Sequence, residues 1–200
     1  MGQGLPGFTP RLAVLTQQSE PQRQERPVEP AATASRAVTP GTYRITPERR
    51  ALLDTIRYAE GTWISGSPEG YRVLYGGGRF QGLERHPEIV VSRGYTSAAA
   101  GAYQFLPDTW KEAARKLRLP DFAPASQDQA ALYLVDKRGA LAAFDRQGLS
   151  AEVLHRLAPE WASLPTHQGE SHYGQPVKHA EDLKNFYGAQ LIRQRRSATA

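Results

Sequence analysis

Cysteine is missing from the sequence, which excludes a disulfide framework, a thiolate nucleophile and any zinc site with cysteine ligands. A run of about 18 apolar residues, which an ordinary transmembrane helix requires, is missing as well. The longest apolar run near the N-terminus, Leu12-Ala13-Val14-Leu15, is shorter than the roughly 7–15 residue core of a secretory signal. We therefore expect a protein that is made in the cytoplasm without a cleavable signal and does not insert stably into a membrane.

Acidic residues are in deficit, because 25 Lys and Arg against 20 Asp and Glu leave a formal charge of +5. Such a balance favours a polyanionic partner, such as nucleic acid, a membrane surface or the bacterial cell wall. The basic residues are scattered except for Arg193, Arg195 and Arg196, and no nucleic-acid-binding motif is found. The sequence therefore predicts no nucleic-acid partner.

Apolar residues are also sparse at the start of the chain, where residues 1–45 are rich in Pro, Gln, Ser, Thr and Ala. A segment of this composition has too little apolar surface to offset the entropy of ordering it. We predict a disordered Pro-rich arm over 1–45, one folded domain over 46–192 and a basic tail over 193–200.

The folded part begins with a helix. Thr46 is a suitable N-cap and Pro47 suits the first helical position, an apolar stripe follows at helical spacing, and Gly61 is a suitable stop. From about Tyr71 to Tyr95 the pattern becomes β-like, with extended runs at 71–75, 79–80 and 89–91. These runs predict a hairpin or a small three-stranded sheet.

Helical spacing returns after residue 105. It predicts five further helices, at about 106–117, 126–138, 140–144, 150–158 and 179–191. Ser126 with Gln129 three residues later is typical of a capping box. Pro159 is expected to kink or break the helix that begins at Ser150. A mainly helical α+β domain, with a small antiparallel sheet inserted after the first helix, is the predicted fold class.

Glu60 lies where a charged residue is unfavourable. It follows Ile56 by four residues and Leu53 by seven, so helical geometry places it on the buried stripe at the helix C-terminus. Burial and the helix dipole both raise a carboxyl pKa, and an acid protonated near neutral pH can protonate the leaving oxygen of a glycoside. The alternative is a partly exposed Glu at a fraying helix end, paired with an arginine.

Seven short segments together resemble the phage lambda lysozyme family, glycoside hydrolase family 104. They cover about residues 48–190 and occur in the family's order: Tyr58-Ala-Glu-Gly-Thr62, Tyr71 to Gly77, Gly101-Ala-Tyr-Gln-Phe105, Ser126-Gln-Asp128, Arg138-Gly-Ala-Leu141, Trp161-Ala-Ser-Leu-Pro165 and Tyr173-Gly-Gln175. The resemblance implies a lysozyme-like fold and a lytic transglycosylase, which cleaves the MurNAc–GlcNAc β-1,4 bond of peptidoglycan and leaves 1,6-anhydro ends.

The resemblance also implies roles for individual residues. Glu60 matches the catalytic Glu, and the predicted substrate contacts are Tyr71, Tyr75, Tyr103, Gln104, Tyr173 and Gln175. For any single tyrosine, packing in the core or a turn remains the alternative. Where the family has a Tyr-Asp pair opening its first strand, this chain has Tyr71-Arg72, so no carboxylate is available there.

Two other functions remain open at this point. A hydrolytic muramidase would use Glu60 together with Glu69, although an exposed loop acid is the default interpretation of Glu69. A non-catalytic wall-binding component would keep the fold without turnover. Asp54 is interpreted as a surface group, and the glycines at 76–78 as a tight turn or a close approach to sugar.

No cofactor and no metal site are expected, because the spacing of His167, His172 and His179 fits neither a helical pair nor a zinc finger. We expect a monomer whose partner is the glycan strand of peptidoglycan. Because no secretory signal was found, we expect it to reach the wall through a phage-type membrane lesion and to act in the periplasm.

Overall fold

A computed structural model describes residues 43–199 of the chain. It contains six α-helices: α1 Pro47–Ala59, α2 Pro107–Leu117, α3 Pro124–Lys137, α4 Leu141–Gln147, α5 Ala151–Leu157 and α6 Ala180–Ala198. The strands β1 Val91–Arg93 and β2 Tyr95–Ser97 form one antiparallel hairpin between α1 and α2, with Val91 opposite Ser97. The predicted α+β class, mainly helical with a small antiparallel sheet after the first helix, is confirmed.

The first helix forms where its sequence predicts. The Thr46 side chain accepts a hydrogen bond from the Arg49 amide (3.3 Å), and Pro47 occupies the first turn. Glu60 is the C-cap residue, and Gly61 follows it with a φ of +72°, a conformation that favours glycine. The helix therefore ends with the Glu60 carboxyl at its C-terminus.

The predicted strand over 71–75 is wrong. Pro68–Arg72 forms a 3₁₀ helix, because Pro68 suits a helical start and the Ser67 side chain accepts from the Glu69 amide (3.2 Å). Extended pairing in this region is limited to single bridges, Val73 with Arg79 and Leu74 with Ala100. The glycines at 76–78 make the predicted tight turn, with a φ of +76° at Gly76.

The predicted capping box at Ser126 and Gln129 is also wrong. Helix α3 begins two residues earlier because Pro124 favours the first helical position, and the Ser126 hydroxyl donates to Asp121 instead (2.6 Å). Helix α5 ends at Leu157, ahead of Pro159 as predicted. Helix α6 continues to Ala198, so the three arginines of the predicted basic tail lie on a helix.

A buried carboxylate, Asp128 on α3, joins three other parts of the domain. It accepts hydrogen bonds from the hydroxyls of Tyr71 (2.8 Å) and Tyr103 (2.5 Å), and it pairs with Arg50 of α1 (2.7 Å). Around it lies a core that includes an aromatic group, in which Trp110 and Phe122 pack edge to face at 4.6 Å between ring centroids.

Helix α6 covers α1 from the other side. Phe186 stacks on Tyr58 with ring centroids 4.2 Å apart, and Tyr187 packs edge to face on Phe144 of α4. Leu183 is fully buried. This is the apolar side of α6 that the sequence predicts. Within residues 43–199, none of the helices combines the length and apolarity that crossing a membrane requires.

The domain begins earlier than the predicted boundary at residue 46. Tyr43 and Ile45 pack against the core, and Gln129 bonds both the amide of Tyr43 (2.7 Å) and its carbonyl (2.9 Å). The Tyr43 hydroxyl donates to Asp136 (2.9 Å). Residues 1–42 and residue 200 lie outside the described residues. The predicted disorder of the arm therefore stays a prediction.

Two truncations separate the predicted arm from the domain. We expect removal of residues 1–42 to leave the melting temperature nearly unchanged, because their composition offers little apolar surface. Removal of residues 1–45 should lower it by about 5 °C, through loss of four hydrogen bonds and two packed side chains. Calorimetry of both proteins beside the full chain measures the difference. Equal melting temperatures for the two truncations would place the boundary at residue 46 after all.

Candidate active site

Glu60 sits half-buried at the C-terminal end of α1. The Ser163 hydroxyl donates a hydrogen bond of 2.5 Å to its Oε1 atom. Burial, partly offset by this hydrogen bond, raises the pKa of Glu60 to about 7. The carboxyl group is therefore substantially protonated near neutral pH, as the sequence predicts from its place on the apolar stripe.

The loop that follows α5 brings Ser163 to Glu60. Trp161 anchors this loop because its indole Nε1 donates to the carbonyl of Tyr103 (3.1 Å), and Leu164 is buried beside it. The carbonyl of Ser163 accepts from the Lys178 amide (3.2 Å). Both ends of the loop are thus fixed, so the serine is held against a carboxyl that lies 103 residues earlier in the chain.

The segment after Glu60 is fixed by Thr62. Its buried hydroxyl donates to the carbonyl of Ala102 (2.5 Å), and the carbonyl of Arg57 lies 3.2 Å from the same oxygen. The 101–105 turn is held in turn by Gln127, which accepts from the Ala102 amide (2.8 Å). Thr62 therefore ties the segment after Glu60 to the 101–105 turn, and Gln127 fixes that turn.

The sequence did not single out Ser163, Thr62 or Gln127 as parts of this site. Serine and threonine carry no pattern that distinguishes a carboxylate partner from a loop residue. All three do lie inside segments that carry the family resemblance, but only the folded chain shows that Ser163 meets Glu60 and that Thr62 and Gln127 meet the 101–105 turn.

Two of the predicted sugar contacts, Tyr71 and Tyr103, are buried in the core. Their side chains are 6% and 0% exposed, and both hydroxyls donate to Asp128. Burial and the neighbouring carboxylate raise the pKa of each phenol. Neither ring is accessible to a glycan, so the prediction of direct contact is wrong for both. The packing alternative applies because each hydroxyl finds a buried acceptor.

The other four predicted contacts remain accessible to different extents. Tyr75 is half-buried, and its hydroxyl donates to the carbonyl of Arg93 in β1 (3.1 Å). Gln104 is half-buried with a φ of +48°, and its amide donates to the carbonyls of Gly101 and Val73. Tyr173 is 58% exposed and donates to the carbonyl of Pro159 (2.7 Å), and Gln175 is exposed. Contact between these residues and sugar stays a prediction.

Of the two remaining carboxylates, Glu69 lies in its expected setting and Asp54 does not. Glu69 is exposed, as the default interpretation requires, and is ion-paired with Arg79. Asp54, interpreted as a surface group, is 2% exposed and lies between Arg57 (3.5 Å) and Gln194 of α6 (3.1 Å). The surface interpretation of Asp54 is wrong because α6 continues far enough to cover it.

Comparison with known proteins gives one consistent answer. The Endolysin family model matches residues 50–192. The chain is 37% identical over 145 residues to the endolysin of Escherichia phage lambda, covering 70% of this chain and 88% of the relative. It is 35% identical over 136 residues to the endolysin of Escherichia phage P2, covering 58% and 78% respectively.

The chain belongs to the endolysin family. Membership places it among lysozyme-like glycosidases that degrade peptidoglycan. A solved structure of bacteriophage lambda lysozyme in complex with a chitohexasaccharide superposes with a TM-score of 0.67 at 33% identity, covering 74% of this chain and 96% of that one. A second lambda lysozyme structure gives 0.60 at 30% identity, covering 77% and 96%. The predicted lysozyme-like fold is confirmed.

The Ser163 contact predicts how the Glu60 pKa responds to mutation. In Ser163→Ala the charged carboxylate loses a hydrogen-bond donor, so the Glu60 pKa should rise above its wild-type value near 7. Carbon-13 NMR of the glutamate side-chain carboxyls, titrated from pH 4 to 9, measures the shift directly. Ser171→Ala is the control, because the Ser171 hydroxyl donates to the Ala162 carbonyl in the same loop. A Glu60 pKa that falls in Ser163→Ala, or that moves equally in the control, would contradict the assignment.

Proposed function

We propose that this endolysin-family chain is a lytic transglycosylase that cleaves the MurNAc–GlcNAc β-1,4 bond of peptidoglycan, with Glu60 acting first as acid and then as base. The observation that carries the proposal is a half-buried carboxyl with a pKa near 7, held by a neutral serine donor. The chitohexasaccharide bound by lambda lysozyme supports a glycan as ligand.

The chemistry needs only one carboxyl group. Protonated Glu60 donates its proton to the glycosidic oxygen, and the bond from that oxygen to C1 of MurNAc breaks with the electron pair leaving on the oxygen. The C6 hydroxyl oxygen of the same MurNAc then attacks C1 and closes the 1,6-anhydro ring. The proton released from that hydroxyl returns to the Glu60 carboxylate, so the acid is regenerated and no water is consumed.

A positioned acid–base group of this kind contributes a rate factor of about 100 to 10,000. The positive charge that develops at C1 is shared by the ring oxygen or by the N-acetyl group of the substrate, so the protein needs no nucleophile. Ser163 is the positioning residue in this scheme. It holds Oε1 in place, and because it lowers the Glu60 pKa it keeps the carboxylate stable enough to form after the first proton transfer.

The ion pair of Glu69 favours this single-carboxyl scheme over a two-carboxyl hydrolase. Arg79 is ion-paired with Glu69 and occupies one of its oxygens. A carboxylate engaged in this way on an exposed loop is a poor candidate for a nucleophile or for activating water at C1.

We place the active protein, a monomer, at the peptidoglycan layer after release from the cytoplasm. Its net charge of +5 attracts it to an anionic wall.

Glu60→Gln should keep the fold and lose nearly all cleavage, because an amide of the same shape donates no proton to the leaving oxygen. Glu69→Gln is the matched control and should retain most of the activity. Turbidity loss of purified peptidoglycan measures turnover, and the melting temperature verifies folding. A folded Glu60→Gln protein with more than a few per cent of wild-type activity would remove Glu60 as the acid. An equally inactive Glu69→Gln protein would favour the hydrolase.

The products distinguish the two reaction types directly. Ring closure by the C6 hydroxyl gives 1,6-anhydro MurNAc ends, whereas hydrolysis gives reducing ends that are heavier by one water. Mass spectrometry of muropeptides from a complete digest should show anhydro ends at every enzymatic cut. A digest dominated by reducing ends would overturn the transglycosylase proposal while leaving Glu60 as the acid.

A further inference from the structure

A cavity of about 230 Å³ lies between α1, the loop that follows it, and the last turns of α6. Its lining includes Arg50, Asp54 and Arg57 from α1, Trp63 from the loop, and Arg193 and Gln194 from α6. Glu60 is absent from the lining, so the cavity is separate from the candidate active site. The two α6 residues come directly after position 192, where the match to the endolysin model ends.

The cavity carries more positive than negative charge. Arg50 is paired with Asp128 behind the wall (2.7 Å), and Arg57 lies 3.5 Å from Asp54. Across residues 43–199 the Arg193 guanidinium forms neither a hydrogen bond nor an ion pair. The guanidinium lies beside Gly66 of the loop. Its Nη2 atom is 3.7 Å from the position that a Cβ atom would take at that glycine. One guanidinium of the lining therefore has no ion-pair partner among the described residues.

A buried donor in the same wall is also unsatisfied. The Arg57 side chain is 3% exposed, and within the described part of the chain its Nε atom has no hydrogen-bond partner. The other end of this guanidinium is fixed, since Nη2 donates to the Ser67 carbonyl (3.0 Å). The rings of Trp63 and Tyr71 lie 4.9 and 4.5 Å from its central carbon. Buried unpaired donors are rare in folded proteins, and this one is held rigidly.

We propose that this cavity binds an oxyanion, meaning a carboxylate, sulfate or phosphate group. Guanidinium groups present planar pairs of N–H donors that match the oxygens of such groups. The volume exceeds the share of one water molecule, about 30 Å³, and is below the roughly 300–1,000 Å³ of sites for larger ligands. It therefore suits a small free ion or the charged end group of a longer molecule.

Asp54 makes the binding depend on pH. Among the described residues it is the one carboxylate in the lining. The charged groups that act on it are Arg50 and Arg57 on α1 and Asp128 on α3, and Arg193 of α6 lines the same cavity. Burial raises the Asp54 pKa to about 6 in spite of the two α1 arginines. Below that pH the carboxyl is neutral and no longer repels an anion. An oxyanion should therefore bind more tightly at pH 5 than at pH 7.5.

Calorimetric titration of the full chain with sodium sulfate tests the site, because sulfate keeps its charge over this pH range. Wild type should bind sulfate saturably, and Arg193→Ala should weaken the affinity by at least about tenfold. Arg196→Ala is the matched control: it removes the same charge from an exposed position on the same helix and should change the affinity little. Equal weakening by the two variants would reduce the effect to diffuse charge, and no saturable binding to wild type would leave a cavity for water only. Either result overturns the proposal.

Further titrations distinguish the source of the anion. Tighter binding of N-acetyl-alanyl-alanine than of acetate supports a peptide carboxyl end as ligand, whereas equal affinity supports a small free ion. Binding of sulfate, phosphate and both carboxylates by Arg193→Ala as strongly as by wild type would exclude the site for every source. Glu60→Gln should bind sulfate as wild type does, so failure of the catalytic proposal would leave this one standing.

Discussion

The carboxylate of Asp128 connects the segments between which the candidate active site is built. Two tyrosine hydroxyls donate to it and Arg50 pairs with it, so α1, the 68–72 turn and the 101–105 turn are all tied to α3. The arrangement is demanding because a buried charge is tolerated only when its partners stay in place, and loss of one partner costs about 3–5 kcal/mol. The indole of Trp161 donates a hydrogen bond to the carbonyl of Tyr103. This bond connects the Asp128 network to the loop that contains Ser163. The position of the Glu60 partner thus depends on a network that never contacts Glu60 itself.

The acid that this framework presents reduces the stability of the domain at neutral pH. Burial raises the Glu60 pKa from 4.5 to about 7, so the folded state holds its proton where the unfolded chain has released it. The associated stability is fully present below pH 4.5 and is lost as the pH rises through 7. With about 1.4 kcal/mol for each pKa step of one, the loss amounts to about 3 kcal/mol. A fully exposed glutamate keeps nearly the same pKa in the folded and unfolded states and would not cause this loss of stability. A buried carboxyl that causes it is expected where the group is retained for its chemistry.

The placement of Glu60 could be predicted from the sequence, whereas the roles of the tyrosines could not. Helical spacing, Thr46 and Gly61 determine where α1 begins and ends, and these signals are local in the chain. The burial of Tyr71 and Tyr103 depends on Asp128, which lies 57 and 25 residues away, and no local pattern encodes such a contact. Motif resemblance marked both tyrosines without distinguishing a residue that touches sugar from one that supports the backbone. Asp54 was misjudged for a related reason, because its burial depends on how far α6 continues.

Asp54 and Glu60 are two carboxyl groups of one helix whose pKa values are both raised, but in different surroundings. They are six residues apart, which separates them by about 120° around the helix axis, so Asp54 faces α6 and Glu60 faces the loop of Ser163. Asp54 is buried beside Arg50 and Arg57, which favour its charged form, and its pKa reaches only about 6. Glu60 has a neutral serine as its partner, and its pKa reaches about 7. A guanidinium at the distance that Arg57 keeps from Asp54 would favour the carboxylate and leave too little of the acid to protonate a leaving oxygen. Keeping Arg57 away from the Glu60 carboxyl is therefore a condition for the proposed catalysis by Glu60.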